Sequence, residues 1–219
     1  MENTPKPLVS VIIPCYNSTE LRRTLESVCK QSYSCWEALC VDDGSDMELF
    51  PVINAINDPR IFYYRLEEHN NANVARNYGI NHSRGEYIAM LDSDDEWLET
   101  HLEDSVSMLL EEKADCIYGS LILRGETDSI FTARPVGEDE TVIDYLLSTG
   151  YGAQTSTLVM TALSAKDILW DETLKRHQDY DFVIRYSRKY KIFPRISLFR
   201  YSSNNRFRFM YPVYSYGGG

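Results

Sequence analysis

The chain has 219 residues and carries 33 acidic against 22 basic side chains, a net charge of −11. That balance argues against bulk nucleic-acid binding, which needs a basic footprint, while the length is ample for a buried core. The five cysteines (15, 29, 35, 40 and 116) are odd in number and form no CxxC pair, so reduced thiols in the cytosol fit better than a zinc site or a disulfide framework.

Residues 1–7, with Pro5 and Pro7, read as a flexible lead. MENTPKP lacks the apolar core of a signal peptide, and no apolar run approaches the roughly 18 residues of a membrane span. Val9 to Ile13 is a β-branched run stopped by Pro14, the pattern of a strand buried on both faces. Asn17 then opens a helix, with Glu20 three residues on as its capping partner. Leu21, Leu25 and Val28 share one face of it.

Strands follow at 36–41 and 61–66, separated by a helix at 48–57 whose start Pro51 confines. A third helix spans 73–83, and the strand at 87–91 runs straight into Asp92-Ser93-Asp94-Asp95. A longer helix from Trp97 to about Lys113 presents Leu98, Leu102, Val106, Leu109 and Leu110 to a core. Beyond it come a strand at 116–123, a hairpin turn at 125–129 with a returning strand at 130–133, and a short helix at 141–148. An extended segment at 155–160, a helix at 162–169, a last long helix at 181–190 and a strand at 193–201 broken by Pro194 complete the pattern. The glycines at 217–219 read as a loose end, and continuation of the natural chain past them stays open.

The order β-α-β-α-β-α-β argues for a mostly parallel sheet with helices on its faces. In such sheets ligands bind outside the carboxyl ends of the strands. Polar punctuation falls there three times, at Tyr16-Asn17, at Asp42-Asp43-Gly44-Ser45 and at Asp92-Ser93-Asp94-Asp95. Three carboxylates in four residues repel one another. A divalent cation would offset that repulsion, and a helix N-terminus would also accommodate the charge.

A nucleoside diphosphate ester accounts for these sites together with Arg76-Asn77 and Gln178-Asp179. Its diphosphate is neutralised by Mg²⁺ or Mn²⁺ on hard carboxylate oxygens, and Arg76 adds a guanidinium fork. Tyr16 is placed to stack on the base. A carboxylate apart from the metal would take the proton of an incoming hydroxyl. Asp179 has two readings, this base or the N-cap of its helix, and the joint pattern favours the base. Asp95 has the weakest claim of the acidic cluster, since capping the helix near Trp97 would explain it. Trp97 reads as packing or as a wall of the acceptor site. His69, His82, His101 and His177 share no metal-ligand spacing and read as surface residues or supports.

VSVIIPCYN at 9–17, VDDGS at 41–45, NVARNYG at 73–79, GEYIAMLDSDDEW at 85–97 and HQDYDF at 177–182 together resemble the family 2 glycosyltransferases of the GT-A fold. The resemblance implies one α/β domain over residues 8–219. Its Rossmann-like nucleotide half would cover about 8–95 and a smaller mixed acceptor half about 96–203. It implies inverting transfer of a sugar, by direct displacement, from a nucleoside diphosphate sugar (a UDP-sugar in the first instance) to a hydroxyl of a glycan or lipid-linked acceptor. Asp43 would then contact the base, with Pro14, Tyr16 and Asn17 lining its pocket. Asp92 and Ser93 would meet the nucleotide alongside Arg76 and Asn77. Asp94 would hold Mn²⁺ or Mg²⁺, and Asp179 would be the base. Gln178 stands where the family more often has Glu, and Trp97, Gln178 and Asp95 would support the acceptor side or the residues behind the site. Phe199-Arg200-Tyr201-Ser202 has Ser where many relatives carry a His that would contact metal or diphosphate. The implied setting is polysaccharide synthesis in the cytoplasm, peripheral at the inner membrane face.

Three other readings compete. A DxD phosphotransferase would carry that motif on its first strand, and a nucleotidyltransferase would need a Gly-rich loop after it. A non-catalytic sugar-nucleotide or glycan binder on the same fold would have no need of Asp94 and Asp179 together. Donor sugar, linkage and oligomeric state have no residue code here.

Overall fold

The computed structural model describes residues 5–124, 128–149 and 153–195. Residues 125–127 of the turn expected at 125–129, the segment 199–202 and the terminal glycines lie outside them. The apolar runs form strands β1 (Val9–Cys15), β2 (Trp36–Asp42), β3 (Ile61–Arg65) and β4 (Tyr87–Met90). Helices α1 (Leu21–Cys29), α2 (Phe50–Ile56) and α3 (Ala72–His82) connect them. All four strands are parallel, with Val9 opposite Trp36 on one side and Tyr87 on the other.

The second half adds α4 (His101–Glu112), β5 (Cys116–Gly119), β6 (Leu121–Leu123) and β7 (Ser129–Phe131). It continues with α5 (Val142–Thr149), a 3-10 turn (Thr155–Thr157), β8 (Val159–Thr161) and α6 (Ala162–Ile168). Last come α7 (Gln178–Ser187) and β9 (Ile192–Arg195). The main sheet has the order β3-β2-β1-β4-β8-β5-β9, and β6 and β7 form a small antiparallel pair. β8 is antiparallel to both its neighbours, so the parallel nucleotide-side sheet passes into a mixed one.

Helices cover both faces. On one, Val9, Val11 and Ile13 pack with Leu21 and Leu25 of α1 and Leu102 of α4. On the other, Ile12 and Leu39 pack with Ile80 of α3, Trp170 and Phe182 of α7. Gly79 brings α3 down onto β1, since a Cβ there would lie 2.6 Å from Ile12 Cγ2.

Several elements differ from expectation. β1 runs past Pro14 to Cys15, and α1 begins only at Leu21. Asn17 does not open it. Asn17 takes a left-handed φ of 47°, which Asn tolerates better than most residues. The run 116–123 is two strands in two sheets, because Ser120 leaves the ladder and its Oγ accepts the Ala133 N–H at 3.0 Å. The long helix starts at His101, with Thr100 as its N-cap, rather than near Trp97. His101 is no surface residue: it is fully buried, stacked on Trp97 and bonded to Arg195.

Candidate functional site

The chain leaves β1 for β2 and β3 and returns to β4 on the opposite side of β1. The loops after β1 and β4 therefore diverge, which opens a crevice at the topological switch point. A cavity of about 580 Å³ lies there. Pro14, Tyr16, Asn17 and Asp43 line one side, and Arg76, Asp92, Ser93 and Asp94 line the other.

The wall formed by Tyr16, Asn17 and Asp43 is tied to the neighbouring loops. Asn17 donates its N–H to Ser45 Oγ at 2.8 Å, and its Oδ1 accepts the Asp46 N–H at 2.9 Å. The adjacent aspartates have separate fates. Asp42 is wholly buried and accepts the Ser45 N–H and the Tyr63 hydroxyl at 2.8 and 2.6 Å. Asp43 faces the cavity, accepts the Asn70 N–H at 3.1 Å and pairs with His69 Nδ1 at 2.9 Å. Burial pushes the Asp43 carboxyl up, and the Asn70 and His69 contacts pull against it. His69 also stacks on Tyr16 with ring centroids 3.8 Å apart. It is thus a support of the site, through a contact that no spacing rule reveals.

Gly44 permits this packing. Its φ is +72°, and a Cβ would lie 2.7 Å from the His69 backbone nitrogen.

On the opposite wall, Asn71 caps α3 by accepting the Asn73 N–H at 2.9 Å. Arg76, one turn on, is 5% exposed. It donates to Asp92 Oδ1 at 2.7 Å, to Gln178 Oε1 at 2.9 Å and to Asn73 Oδ1 at 2.8 Å, and its guanidinium lies over the Trp170 ring. The fork expected to reach phosphate is therefore already engaged with the protein. Asn77 is a correction. Its amide donates to the Trp170 carbonyl and Glu172 and accepts the Trp170 N–H at 2.8 Å. With those bonds made it is buried away from the cavity and anchors the 170–172 segment.

After β4, Ser93's carbonyl accepts from Ser18 and Thr24 at 3.0 and 2.9 Å, which fastens the loop to the start of α1. Asp94 is exposed at the cavity, yet its carboxyl is raised, first by crowding out of water and then by Asp92. Asp95 caps no helix. It is 4% exposed, accepts the Ser156 hydroxyl at 2.5 Å, and is pushed up to about 8 by burial and then by Asp92. Trp97 is 5% exposed, with its indole N–H on the Ser156 carbonyl at 2.7 Å. Its ring packs on His101 and does not line the cavity.

Asp179 is the second residue of α7, and His177, at φ 54°, is the N-cap. Its carboxyl is raised, chiefly by burial and further by Asp92, while Arg76 opposes the shift. The Arg76 bonds to Asp92 and Gln178 thus join the loop after β4 to the start of α7.

Among the described residues no three His, Cys, Asp or Glu side chains converge as a metal cage. Asp92 and Asp94, two mutually repelling carboxylates on one cavity, fit a cation that takes one or two protein carboxylates and fills its other positions from phosphate and water.

Residues 10–154 match the model of the family described as "Glycosyl transferase family 2". The amylovoran biosynthesis glycosyltransferase AmsB of Erwinia amylovora is 36% identical over 80% of this chain and 62% of its own length. A UDP-Glc:alpha-D-GlcNAc-diphosphoundecaprenol beta-1,3-glucosyltransferase, WfgD of Escherichia coli, is 40% identical over 52% of the chain and 45% of its own length. The chain therefore spans about three-fifths or less of these relatives. The crystal structure of S. aureus TarS 1-349 in complex with UDP-GlcNAc superposes with a TM-score of 0.76 at 20% identity, over 96% of this chain and 59% of that one. At that identity the likeness shows the fold, the mostly parallel GT-A arrangement described above.

Proposed function

The chain belongs to glycosyl transferase family 2, and from that membership we propose that it transfers a sugar from a nucleoside diphosphate sugar, a UDP-sugar in the first instance, to a hydroxyl of a glycan or lipid-linked acceptor. The observation that carries the reading is the meeting of Tyr16, Asp43, Arg76, Asp92 and Asp94 on one cavity at the switch point of the sheet. The complex of TarS with UDP-GlcNAc and the diphosphoundecaprenol-linked substrate in the WfgD name support this donor and acceptor class. Work in the cytoplasm at the inner membrane face follows from such an acceptor. Among the described residues no helix is long and apolar enough to cross a membrane.

In this reading Asp43 accepts from the base and Tyr16 stacks on it, with Pro14, Asn17 and Ser93 shaping the pocket. Asp92 lies by the ribose. Asp94, with Asp92 beside it, would hold Mn²⁺ or Mg²⁺, whose charge neutralises the departing diphosphate. Asp179 takes the proton of the acceptor hydroxyl as its oxygen attacks the anomeric carbon. The carbon–oxygen bond to the diphosphate breaks with its electron pair on the leaving group, which inverts the centre. A raised carboxyl suits such a base, because proton transfer is most effective when its pKa approaches the working pH.

The test is UDP release from a panel of UDP-sugars with Mn²⁺, comparing wild type, Asp94→Ala and Asp179→Asn. Metal-dependent release by the wild type, lost in both variants, is expected. A wild type that neither binds UDP in a metal-dependent way nor turns over any donor overturns the reading.

A further inference from the structure

The loop that bears Asp92 and Asp94 is held by a residue from the other half of the chain. Ser156 lies on the 3-10 turn before β8 and is 3% exposed. Its Oγ accepts the Asp92 N–H at 3.0 Å and donates to Asp95 Oδ2 at 2.5 Å. Its carbonyl accepts the Trp97 indole N–H at 2.7 Å. Three residues of one acidic loop thus converge on one serine. The turn that carries it is itself fixed, since Thr157 donates to the Gln154 carbonyl through both its N–H and its hydroxyl, at 2.9 and 2.7 Å.

The chemistry gives this serine a direction. A hydroxyl has one proton and two lone pairs. With the proton committed to Asp95, a lone pair is turned toward the Asp92 N–H. Among the described residues the Asp95 carboxyl has no other hydrogen bond, its Oδ1 being buried without a partner. Replacing the hydroxyl would therefore release both Asp92's backbone and the Asp95 carboxyl. Neither Ser156 nor Asp95 lines the cavity, so any effect on a ligand passes through the backbone at 92–95.

We propose that Ser156 is a positioning residue that, through Asp95 and the Asp92 N–H, sets the direction in which Asp92 and Asp94 present their carboxylates to a cation and diphosphate. The proposal rests on the donor and metal reading above. It links that loop to β8 in the mixed part of the sheet, so that the element carrying the cation's ligands is aligned by the acceptor side of the molecule.

A serine that only held the sheet together would change every ligand's affinity alike. The experiment is calorimetric titration of UDP with and without Mn²⁺, on wild type, Ser156→Ala, Ser156→Thr and Asp95→Leu, with thermal melts of each. Ser156→Ala is expected to weaken UDP binding about tenfold with Mn²⁺, the worth of one hydrogen bond, and to leave metal-free UDP binding nearly unchanged. Asp95→Leu, which removes the hydroxyl's acceptor, should repeat that pattern and carries the test if Ser156→Ala does not fold. Ser156→Thr keeps the hydroxyl and should recover the metal-dependent increment. Equal losses with and without Mn²⁺, or no loss in a folded variant, overturn the positioning role and leave the donor reading standing. A wild type without metal-dependent UDP binding overturns both.

Discussion

Arg76 donates to Asp92 at 2.7 Å from a side chain almost sealed from water, while Asp92 keeps an edge on the cavity. The same guanidinium reaches Gln178 and lies over Trp170. A buried pair broken from one side leaves the other charge poorly compensated, at a cost of about 3–5 kcal/mol. Asp92's access to the cavity places Arg76→Met at the lower end, about 3 kcal/mol. Urea unfolding should show that loss, and a UDP titration should show weaker binding as Asp92 swings free. Stability within error of wild type would mean that the pair contributes nothing.

The same arginine opposes the upward shift of Asp179, which burial and Asp92 produce. In the proposed role of base Asp179 must be ionised, so activity should fall as pH drops through its elevated pKa. The acid limb of kcat/KM should lie above the ordinary carboxylate range near 4. In Arg76→Met that limb should move to still higher pH. Asp179→Asn should lower kcat by about 10²–10⁴ with little change in donor KM. An acid limb unmoved in Arg76→Met would separate the two residues.

The parts of the site legible in the sequence were those with a positional signature. Strand runs that end in Asp, Asn and Gly mark the rim of a parallel sheet, so Asp43, Asp92 and Asp94 could be placed from the chain alone. Asn17 departs from the helix-opening expectation because the residues favoured at helix caps are those that tolerate left-handed backbone. Only the packing of Ser45 and Asp46 against it decides between the two. Asn77 looked like a ligand residue because it follows Arg76, yet one helical step turns it about 100° toward Trp170. Ser156 left no trace at all, since a lone serine gains its meaning from a turn that folds beside β4. His101 was hidden likewise: its partner Arg195 is 94 residues away.

Two glycines give contrasting outcomes. Gly79→Ala would press a Cβ to 2.6 Å from Ile12 Cγ2 in the core between α3 and β1, an overpacking of about 1–3 kcal/mol. Gly44→Ala would combine the left-handed backbone penalty of about 1–2 kcal/mol with contact at 2.7 Å on the His69 backbone. Because His69 pairs with Asp43 and stacks on Tyr16, Gly44→Ala should also weaken UDP binding. The check is a melt and a UDP titration on each. Equal binding losses for the two would break the link between Gly44 and the wall formed by Tyr16 and Asp43.

His101 supplies the pH dependence of stability. It is fully buried, with its Nε2 unpartnered among the described residues, Arg195 bonded to its Nδ1 and Trp97 stacked on its ring, and Asp104 pairs with Arg195. Burial, and then the Arg195 charge, hold its pKa well below 6.5. The folded state thus keeps it neutral where the unfolded chain binds a proton. Its contribution is fully present above pH 6.5 and is lost as pH falls from there toward the depressed folded pKa. The slope is about 1.4 kcal/mol per pH unit for one proton. Denaturant unfolding of wild type between pH 7.5 and 5 should show this decline. His101→Gln, which does not titrate, should be less stable at pH 7.5 but flatter across the range. A parallel decline in the variant would assign the acid sensitivity to other groups.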